Sequence, residues 1–399
     1  MRAWYVGMAR LCRWLYYSRV SVVGREHLPA GGPVLFVALH RNGAVDGCVY
    51  ASVLPRAVFM ISTQLRRSLL GRLFFSGIEV VRDKDAGDPA RNQRAMADCL
   101  ALLSSGGQLC VMPEGTSSLG PAHLPFRRGA ARIAAAALDG QVPLRIVPLG
   151  IHYERAWAFR SRVEVVVGPA VETGLGHGIT DEDRVALLHQ RITQALEGVG
   201  VQFESAEQQA QSEGVAYVST LATERSYFGS LKRLEAGVPE ALQAAAAELE
   251  ARIGTRRLLR HQGVPLVPMG PLALYAALLV LFTPLVAAAA LVNALPLAAA
   301  GWAGWRLPDD RNVIALWRLL VGLPALLLWV IAICGLAVVL PDWRLPAGYM
   351  LLSVPGTLAW YRYKKLGVAT LNGLAHPGLR APMLAFREAV LRELDHAAS

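Results

Sequence analysis

The sequence predicts an α/β domain with a mixed, mostly buried sheet, followed by a helical region and a C-terminal α-helical membrane domain. Two observations lead to this fold class. From residue 20 to about 170, short apolar runs alternate with segments of helical periodicity, which is the pattern of an α/β fold. From residue 263 to 361, Leu, Ala, Val, Pro and Trp dominate the composition. A chain of 399 residues is long enough for two or three domains, and the composition changes most clearly near residue 262.

The order of the elements divides the chain into five parts. We expect an amphipathic N-terminal helix at 1–19, the α/β domain at 20–200, a helical region at 201–262, a transmembrane domain at 263–365 and a C-terminal tail at 366–399. The apolar runs predict strands at Val20–Val23, Val34–Leu39, Val58–Ile61, Ile78–Val81, Gln108–Met112, Leu144–Leu149 and Val163–Val167. Helical spacing predicts helices near 67–75, 89–104, 128–138, 181–197 and 238–252. Thr180 and Asp183 form a candidate capping box before the helix at 181–197.

The N-terminal segment 2–17 places its apolar residues at helical spacing and its arginines elsewhere on the helix. Two interpretations fit this pattern: a helix lying in a membrane interface, and a helix packed on its own domain. A signal peptide is not expected, because Arg10, Arg13 and Arg19 interrupt any apolar core.

The C-terminal apolar section contains one clear candidate for a membrane span. Leu319–Leu340 is 22 residues long without a charge, which makes about 33 Å of helix at about 1.5 Å per residue. Gly270–Trp305 is too long for one straight span and short for two, and Pro284 and Pro296 are candidate kinks. Pro346–Tyr361 is a shorter third segment.

Clusters of Arg and Lys flank this section, at 256–260 and at 362–365. If both clusters are cytoplasmic, the number of crossings is even, so two spans with a non-crossing third segment and four shorter spans both remain open. A buried helical core is the alternative to a membrane domain.

The net charge of +10 comes almost entirely from arginine. The basic residues flank apolar segments and are not interleaved with aromatic residues, so an anionic membrane surface is a better partner than nucleic acid, which we do not expect to bind. A genome that prefers arginine codons would give the same excess. The five cysteines form no CxxC and lie near no histidine cluster, so we expect neither a disulfide framework nor a bound metal, and a reducing cytosolic environment.

His40 and Asp46 are the first candidate site residues. They lie in HRNGAVD, directly after the apolar run 34–39. A strand that delivers a histidine to a loop, with a carboxylate near enough to orient it, is a common way to build a general base. The pair alone is weak, because a core histidine followed by an unrelated Asp would look the same.

Three further segments end predicted strands in a similar way. Arg82 follows the strand at 78–81, the run Pro113–Thr116 follows the strand at 108–112, and IVPLGIHY occupies residues 146–153. An α/β sheet builds its site at such strand ends. Taken singly, Arg82 could be a solvated charge and Glu114 could cap a helix.

With these four segments in this order, the sequence resembles the glycerophospholipid acyltransferases of the PlsC-like superfamily over about residues 18–200. That family carries an His-x4-Asp motif, a strand-end arginine, a Pro-Glu-Gly-Thr loop and a late Val-Pro motif. Two positions depart from the pattern: five residues separate His40 from Asp46, and Ser117 stands where the family has an arginine. The spacing and the form of the sequence around Arg82 resemble most the eukaryotic-type glycerol-3-phosphate and dihydroxyacetone-phosphate acyltransferases, which also carry C-terminal membrane segments.

The resemblance implies roles for individual residues. His40 would be the general base and Asp46 its orienting acid. Arg82 would hold the phosphate of the acceptor, and Glu114, Gly115 and Thr116 would help to bind the acceptor. Arg127 and Arg128 are candidates to replace the missing arginine of the family. No Gly-x-Ser-x-Gly motif is present, so direct transfer is expected instead of an acyl-serine intermediate.

The expected function is a membrane-bound O-acyltransferase that moves a fatty acyl group from acyl-CoA or acyl-ACP to glycerol 3-phosphate or dihydroxyacetone phosphate, with no bound cofactor. Alternatives are acylation of 1-acyl-glycerol 3-phosphate or another lysolipid, acylation of a non-glycerol acceptor, and a non-catalytic lipid-binding or transport protein. The expected partners are the lipid bilayer, the acceptor lipid or glycerol phosphate, and acyl carrier protein. The expected location is the inner or cytoplasmic membrane, multi-pass, with the catalytic domain on the cytoplasmic side.

Overall fold

The computed structural model describes residues 2–81, 90–174 and 179–396. The chain divides into two compact units. The first unit contains Met1–Ala156 and Arg162–Gln202, and the second contains Trp157–Ser161 and Phe203–Ser399.

A seven-stranded sheet forms the centre of the first unit. Its strands are β1 (Tyr17–Val23), β2 (Val34–Ala38), β3 (Ala57–Ser62), β4 (Ile78–Val80), β5 (Gln108–Val111), β6 (Arg145–Tyr153) and β7 (Ser161–Val167). Their order across the sheet is β1-β7-β6-β2-β5-β3-β4. The strands from β6 to β4 are parallel, and β7 is antiparallel to β6. The predicted mixed sheet is therefore confirmed, and all seven predicted strands are present.

The helices of the first unit are α1 (Arg2–Tyr16), α2 (Val45–Val53), α3 (Leu69–Phe74), α4 (Ala90–Ser104), α5 (Gly129–Asp139) and α6 (Asp181–Val199). The central strands β2 and β5 are buried along their whole length, as expected for parallel strands covered on both faces. The stripe Leu188, Ile192 and Leu196 of α6 is buried in the same core. The predicted capping of α6 is also present, since the Thr180 hydroxyl accepts the Asp183 backbone N–H at 3.2 Å.

Helix α2 was not predicted from the sequence, which indicated only a loop after His40. It is short, and six of its nine residues are buried, so it lacks the polar stripe by which an amphipathic helix is recognised. Strand β6 is longer than the predicted Leu144–Leu149. It continues to Tyr153 because antiparallel pairing with β7 extends from Leu149 to Tyr153.

The second unit is helical. Its helices are α7 (Ala206–Ser219), α8 (Tyr227–Arg233), α9 (Glu240–Ile253), α10 (Leu272–Val292), α11 (Ala294–Arg306), α12 (Ile314–Val339), α13 (Arg344–Ala375) and α14 (Arg380–His396), and a short hairpin is formed by β8 (Arg260–His261) and β9 (Val264–Pro265). The segment expected as a C-terminal tail contains the last turns of α13 and the whole of α14.

Among the described residues, two helical segments are long and apolar enough to cross a membrane, Leu272–Val292 and Arg311–Val339. Only 11 % and 6 % of their most apolar windows are buried inside the chain. This exposure argues against the alternative of a buried helical core, because such a core would cover these side chains.

The segment Gly270–Trp305 is divided into two helices at Asn293. Pro284, a candidate kink, lies inside α10, and Pro296 lies in the first turn of α11. A proline in the first turn is tolerated because the backbone N–H it lacks has no partner within the helix there.

Helices α10 and α13 pack closely at Gly356, where an added Cβ would collide with Ala289. We expect Gly356→Ala to destabilise the protein by about 1–3 kcal/mol, because the two backbones must separate. Gly348→Ala, in the same helix with open space around its Cα, should be neutral or stabilising by up to about 1 kcal/mol through helix propensity. Thermal unfolding of both variants in detergent, followed by circular dichroism, measures the difference; equal stabilities would contradict this packing.

Candidate active site

The candidate site lies at one edge of the sheet in the first unit. Strands β2 and β5 are parallel neighbours, with Val37 opposite Val111. His40 follows the end of β2, and Glu114 follows the end of β5. Because the carboxyl ends of parallel strands lie at the same edge, the sheet brings together two segments separated by 74 residues.

Asp46 is fully buried, and hydrogen-bond donors surround its carboxylate. Oδ2 accepts the backbone N–H groups of Arg41 at 2.6 Å and Asn42 at 2.8 Å. Oδ1 accepts the Tyr153 hydroxyl at 2.6 Å. Asp46 also lies in the first turn of α2, where the helix dipole favours a negative charge. These interactions replace the water that the carboxylate loses on burial.

The ring of His40 is oriented by this carboxylate. His40 Nδ1 lies 2.9 Å from Asp46 Oδ2. Because a carboxylate only accepts, Nδ1 carries the proton and Nε2 keeps its lone pair. The His40 side chain is 17 % exposed, whereas that of Asp46 is 0 % exposed. The imidazole is therefore open to a reactant, whereas the acid has no exposed surface of its own.

Tyr153 is a site residue that the sequence did not single out. It ends β6, and burial together with the neighbouring Asp46 charge raises its pKa well above the ordinary value, so the hydroxyl stays protonated and donates. Asn42 supports the same loop, since its side-chain amide donates to the Tyr17 hydroxyl at 2.9 Å. The available signal was the position of Tyr153 at the end of an apolar strand-like run, next to the predicted site.

Glu114 joins the two strand-end loops. It is 2 % exposed, and its Oε2 accepts the backbone N–H of His40 at 2.5 Å. The backbone carbonyl of His40 in turn accepts the N–H of Ser118 at 3.2 Å. Burial raises the pKa of Glu114 to about 7, although the His40 N–H bond and the Arg41 charge act in the opposite direction.

The Gly115–Thr116 turn, half-buried, follows Glu114. Gly115 has a φ of 69°, a conformation that favours glycine. The exposed side chain of Arg127 packs over this turn, since a Cβ on Gly115 would lie 3.0 Å from Arg127 Nε. The backbone N–H of Arg127 donates to the Pro113 carbonyl at 2.9 Å.

The two candidate arginines of the 127–128 pair have different surroundings. Arg128 lies where its charge acts on His189 of α6, whose pKa is lowered mainly by burial and also by Arg128. Arg82 lies outside the described residues; strand β4, which precedes it, ends at Val80. Within the described part of the chain, no group of three His, Cys, Asp or Glu side chains is arranged to hold a metal ion.

The sequence comparisons with known proteins find acyltransferases. The sequence model of the acyltransferase family matches residues 19–152. The mouse 1-acyl-sn-glycerol-3-phosphate acyltransferase alpha is 30 % identical over 184 residues, which cover 44 % of this chain and 61 % of that protein. A 1-acyl-sn-glycerol-3-phosphate acyltransferase of Chlamydomonas reinhardtii is 27 % identical over 137 residues, covering 34 % of this chain and 40 % of that protein.

The chain thus spans about three fifths of the length of the mammalian relatives that it matches. Among solved structures, the crystal structure of the 1-acyl-sn-glycerophosphate acyltransferase PlsC from Thermotoga maritima is 18 % identical, with a TM-score of 0.35. The match covers 50 % of this chain and 81 % of that chain.

The raised pKa of Glu114 predicts a pH dependence of stability. The folded pKa of about 7 lies above the ordinary value of 4.5, so folding takes up a proton between these pH values. The contribution of Glu114 to the free energy of unfolding is then fully present below about pH 4.5. It is lost as the pH rises towards 7, and it changes no further above that pH. A shift of this size corresponds to about 3 kcal/mol.

Glu114→Gln keeps an acceptor for the His40 N–H but cannot ionise. We expect the variant to lose most of the decrease in stability between pH 5 and pH 8 that the parent protein shows in thermal unfolding. The exposed Glu182→Gln is the matched control and should keep that decrease. Parallel pH profiles for parent and Glu114→Gln would show that Glu114 is not the group that titrates.

Proposed function

We propose that this chain transfers a fatty acyl group from acyl-CoA or acyl-ACP to the free hydroxyl of 1-acyl-glycerol 3-phosphate. The match of residues 19–152 to the acyltransferase family and the similarity to 1-acyl-sn-glycerol-3-phosphate acyltransferases support this proposal. The observation that carries the proposal is the His40–Asp46 pair, in which the fully buried carboxylate of Asp46 orients the partly exposed imidazole of His40. The sequence favoured glycerol 3-phosphate or dihydroxyacetone phosphate as acceptor. The names of the relatives instead support the lysophosphatidate alternative.

The chemistry follows from the tautomer of His40. Nε2 takes the proton of the acceptor hydroxyl while its oxygen attacks the thioester carbonyl, and a tetrahedral intermediate forms. Asp46 stabilises the imidazolium that results. When the intermediate collapses, the carbon–sulfur bond breaks and the leaving thiolate receives the proton from His40. The products are an ester and a free thiol, and His40 returns to its starting state. A positioned base of this kind accelerates a reaction about 100- to 10,000-fold.

The acceptor phosphate needs cationic partners near the same edge of the sheet. We assign this role to Arg82 and Arg127, because guanidinium groups form paired hydrogen bonds with phosphate oxygens. The packing of Arg127 over the Gly115 turn supports its part. Glu114 is buried and accepts the backbone N–H of His40, which supports a role in positioning His40. Gly115 and Thr116 remain the residues of that loop for acceptor contact.

We place the reaction at a membrane surface, on the cytoplasmic side. Two helical segments suited to crossing a bilayer would keep the chain where lysolipid and product reside. The arginine-rich flanks of this section support the cytoplasmic orientation.

Acceptor profiling tests the proposal directly. Purified protein receives acyl-CoA or acyl-ACP with either 1-acyl-glycerol 3-phosphate or glycerol 3-phosphate, and thiol release is measured together with the lipid product. We expect turnover with the lysolipid to exceed turnover with glycerol 3-phosphate. The reverse preference would identify glycerol 3-phosphate as the acceptor and contradict the proposal. Lipid binding without thiol release would identify a non-catalytic protein.

His40→Ala should lower kcat at least about 100-fold, because the base is lost. His27→Ala, a partly exposed histidine outside the site, is the control and should keep full activity. Circular dichroism and membrane association should be unchanged in both variants. Parental turnover by a folded His40→Ala protein would remove the proposed mechanism.

Tyr153→Phe should lower kcat about tenfold with little change in KM, because Asp46 loses a donor that holds it against His40. A hydrogen bond to a charged group contributes about 1.5–3 kcal/mol. Tyr217→Phe removes an equally short buried hydroxyl bond, 2.6 Å to His261 in the second unit, and should leave kcat unchanged. Equal effects of the two substitutions would show that Tyr153 acts only through general stability.

A further inference from the structure

The hairpin formed by α10 and α11 raises the question of how deep its turn lies in a membrane. The two helices meet at Asn293, which is 6 % exposed. Their packing against α12 and α13 gives the register. A Cβ on Gly322 of α12 would lie 2.7 Å from Ala300 Cβ of α11, and Trp329 Nε1 donates to the Val292 carbonyl at 2.7 Å. Helix α11 therefore runs antiparallel to α12, with the hairpin turn beside Trp329.

The other side of the hairpin shows the same arrangement. Thr283 and Tyr363 hydroxyls lie 3.0 Å apart, and the Asn293 amide donates to Ser353 Oγ at 2.8 Å. Helix α10 is therefore antiparallel to α13. Both outer ends of the hairpin lie on one side, and its turn points towards the opposite side.

The lengths of the helices limit the depth of this turn. Helix α11 has 13 residues, or about 20 Å, whereas the hydrocarbon core of a bilayer is about 30 Å thick. Its last residue is the charged Arg306, and three more charged residues follow at 309–311; these residues require water or headgroups. Helix α12 continues beyond Trp329 for ten apolar residues to Val339, about 15 Å further. If the turn reached the far headgroups, this apolar end of α12 would project into water.

The three turns of this region differ in polarity. Asp309 and Asp310 lie between α11 and α12, and Asp342 lies between α12 and α13, where it accepts the backbone N–H of Arg344. The turn at Asn293 carries no charge.

Side chains satisfy several polar groups of the Asn293 turn. The Asn293 amide donates to the Ala289 carbonyl, its oxygen accepts the Tyr349 hydroxyl at 2.7 Å, and Trp329 covers the Val292 carbonyl. A helix end placed in hydrocarbon needs such partners, because no water is present to bind its carbonyls.

We propose that α10 and α11 form a re-entrant hairpin whose turn at Asn293 lies at the depth of the hydrocarbon core, with its backbone packed on α12 and α13. Only α12 and α13 then cross the bilayer, and α10 does not cross although it is long enough to do so. Helix α10 is eight residues longer than α11, so its first two turns lie at headgroup level, where Tyr275 is suited to the interface. The chain from α10 to α13 then crosses the bilayer twice, and most of the α10–α11 hairpin lies in one leaflet.

Cysteine labelling in sealed vesicles of both orientations tests this topology. The background carries alanine at all five cysteines, because the four buried ones would also react once SDS unfolds the chain. Single cysteines replace Leu291 and Leu295 at the turn, which are 77 % and 62 % exposed, and Asp309 and Trp343 in the neighbouring turns. A membrane-impermeant maleimide is applied from each face, and then after SDS denaturation.

We expect Asp309→Cys to react from one face only, Trp343→Cys from the opposite face only, and the two positions at the Asn293 turn from neither face until SDS is added. Reaction at the Asn293 turn from the face of Trp343 would show two full crossings by α10 and α11. Reaction there from the face of Asp309 would place the hairpin outside the bilayer, and reaction of Asp309 and Trp343 from one face would show that α12 does not cross. Each of these three results overturns the proposal.

A fluorophore attached at Leu295→Cys in detergent and then reconstituted separates burial in lipid from burial in protein. Stronger quenching by a nitroxide at carbon 12 of the lipid chain than at carbon 5 is expected for a turn deep in the bilayer. No quenching by either lipid would contradict the proposal.

Discussion

The carboxylate of Asp46 is fully buried, and the arrangement of the first unit around it compensates for that burial. A carboxylate without water is costly unless hydrogen-bond donors surround it. Backbone N–H groups of Arg41 and Asn42 supply part of this compensation, and the Tyr153 hydroxyl supplies another. The last donor is His40 Nδ1. The same requirement that stabilises the buried acid therefore fixes the tautomer and the direction of the imidazole.

The sheet makes this arrangement possible, because its parallel strands end at a common edge. Tyr153 comes from the end of β6 and His40 from the end of β2, two strands in direct contact. Glu114 comes from the end of β5 on the other side of β2 and holds the backbone of His40. The loop of His40 is thus held from both sides, which keeps the imidazole in place while its outer edge remains open to a reactant.

In the second unit the buried polar side chain of Asn293 is likewise satisfied by hydrogen bonds. Asn293 interrupts an apolar stretch, and partners on α10 and α13 satisfy its amide and its oxygen. Around Asp46 the satisfied group is a charge, and the result is an imidazole held in one orientation. Around Asn293 the satisfied groups are a neutral side chain and a helix end, and the result is a turn that tolerates an apolar environment.

The sequence by itself determined the strands, the apolar helices and the chemical candidates. Strand runs such as Val34–Leu39 are recognisable because buried parallel strands are continuously apolar, and His40 and Glu114 follow strand ends, with Asp46 six residues after His40. Only the tertiary structure decided which partners meet. Helix α2 has no polar stripe, Tyr153 lies 107 residues from Asp46, and α10 and α11 meet at Asn293. Each of these features depends on contacts between residues distant in the chain, which local periodicity does not record.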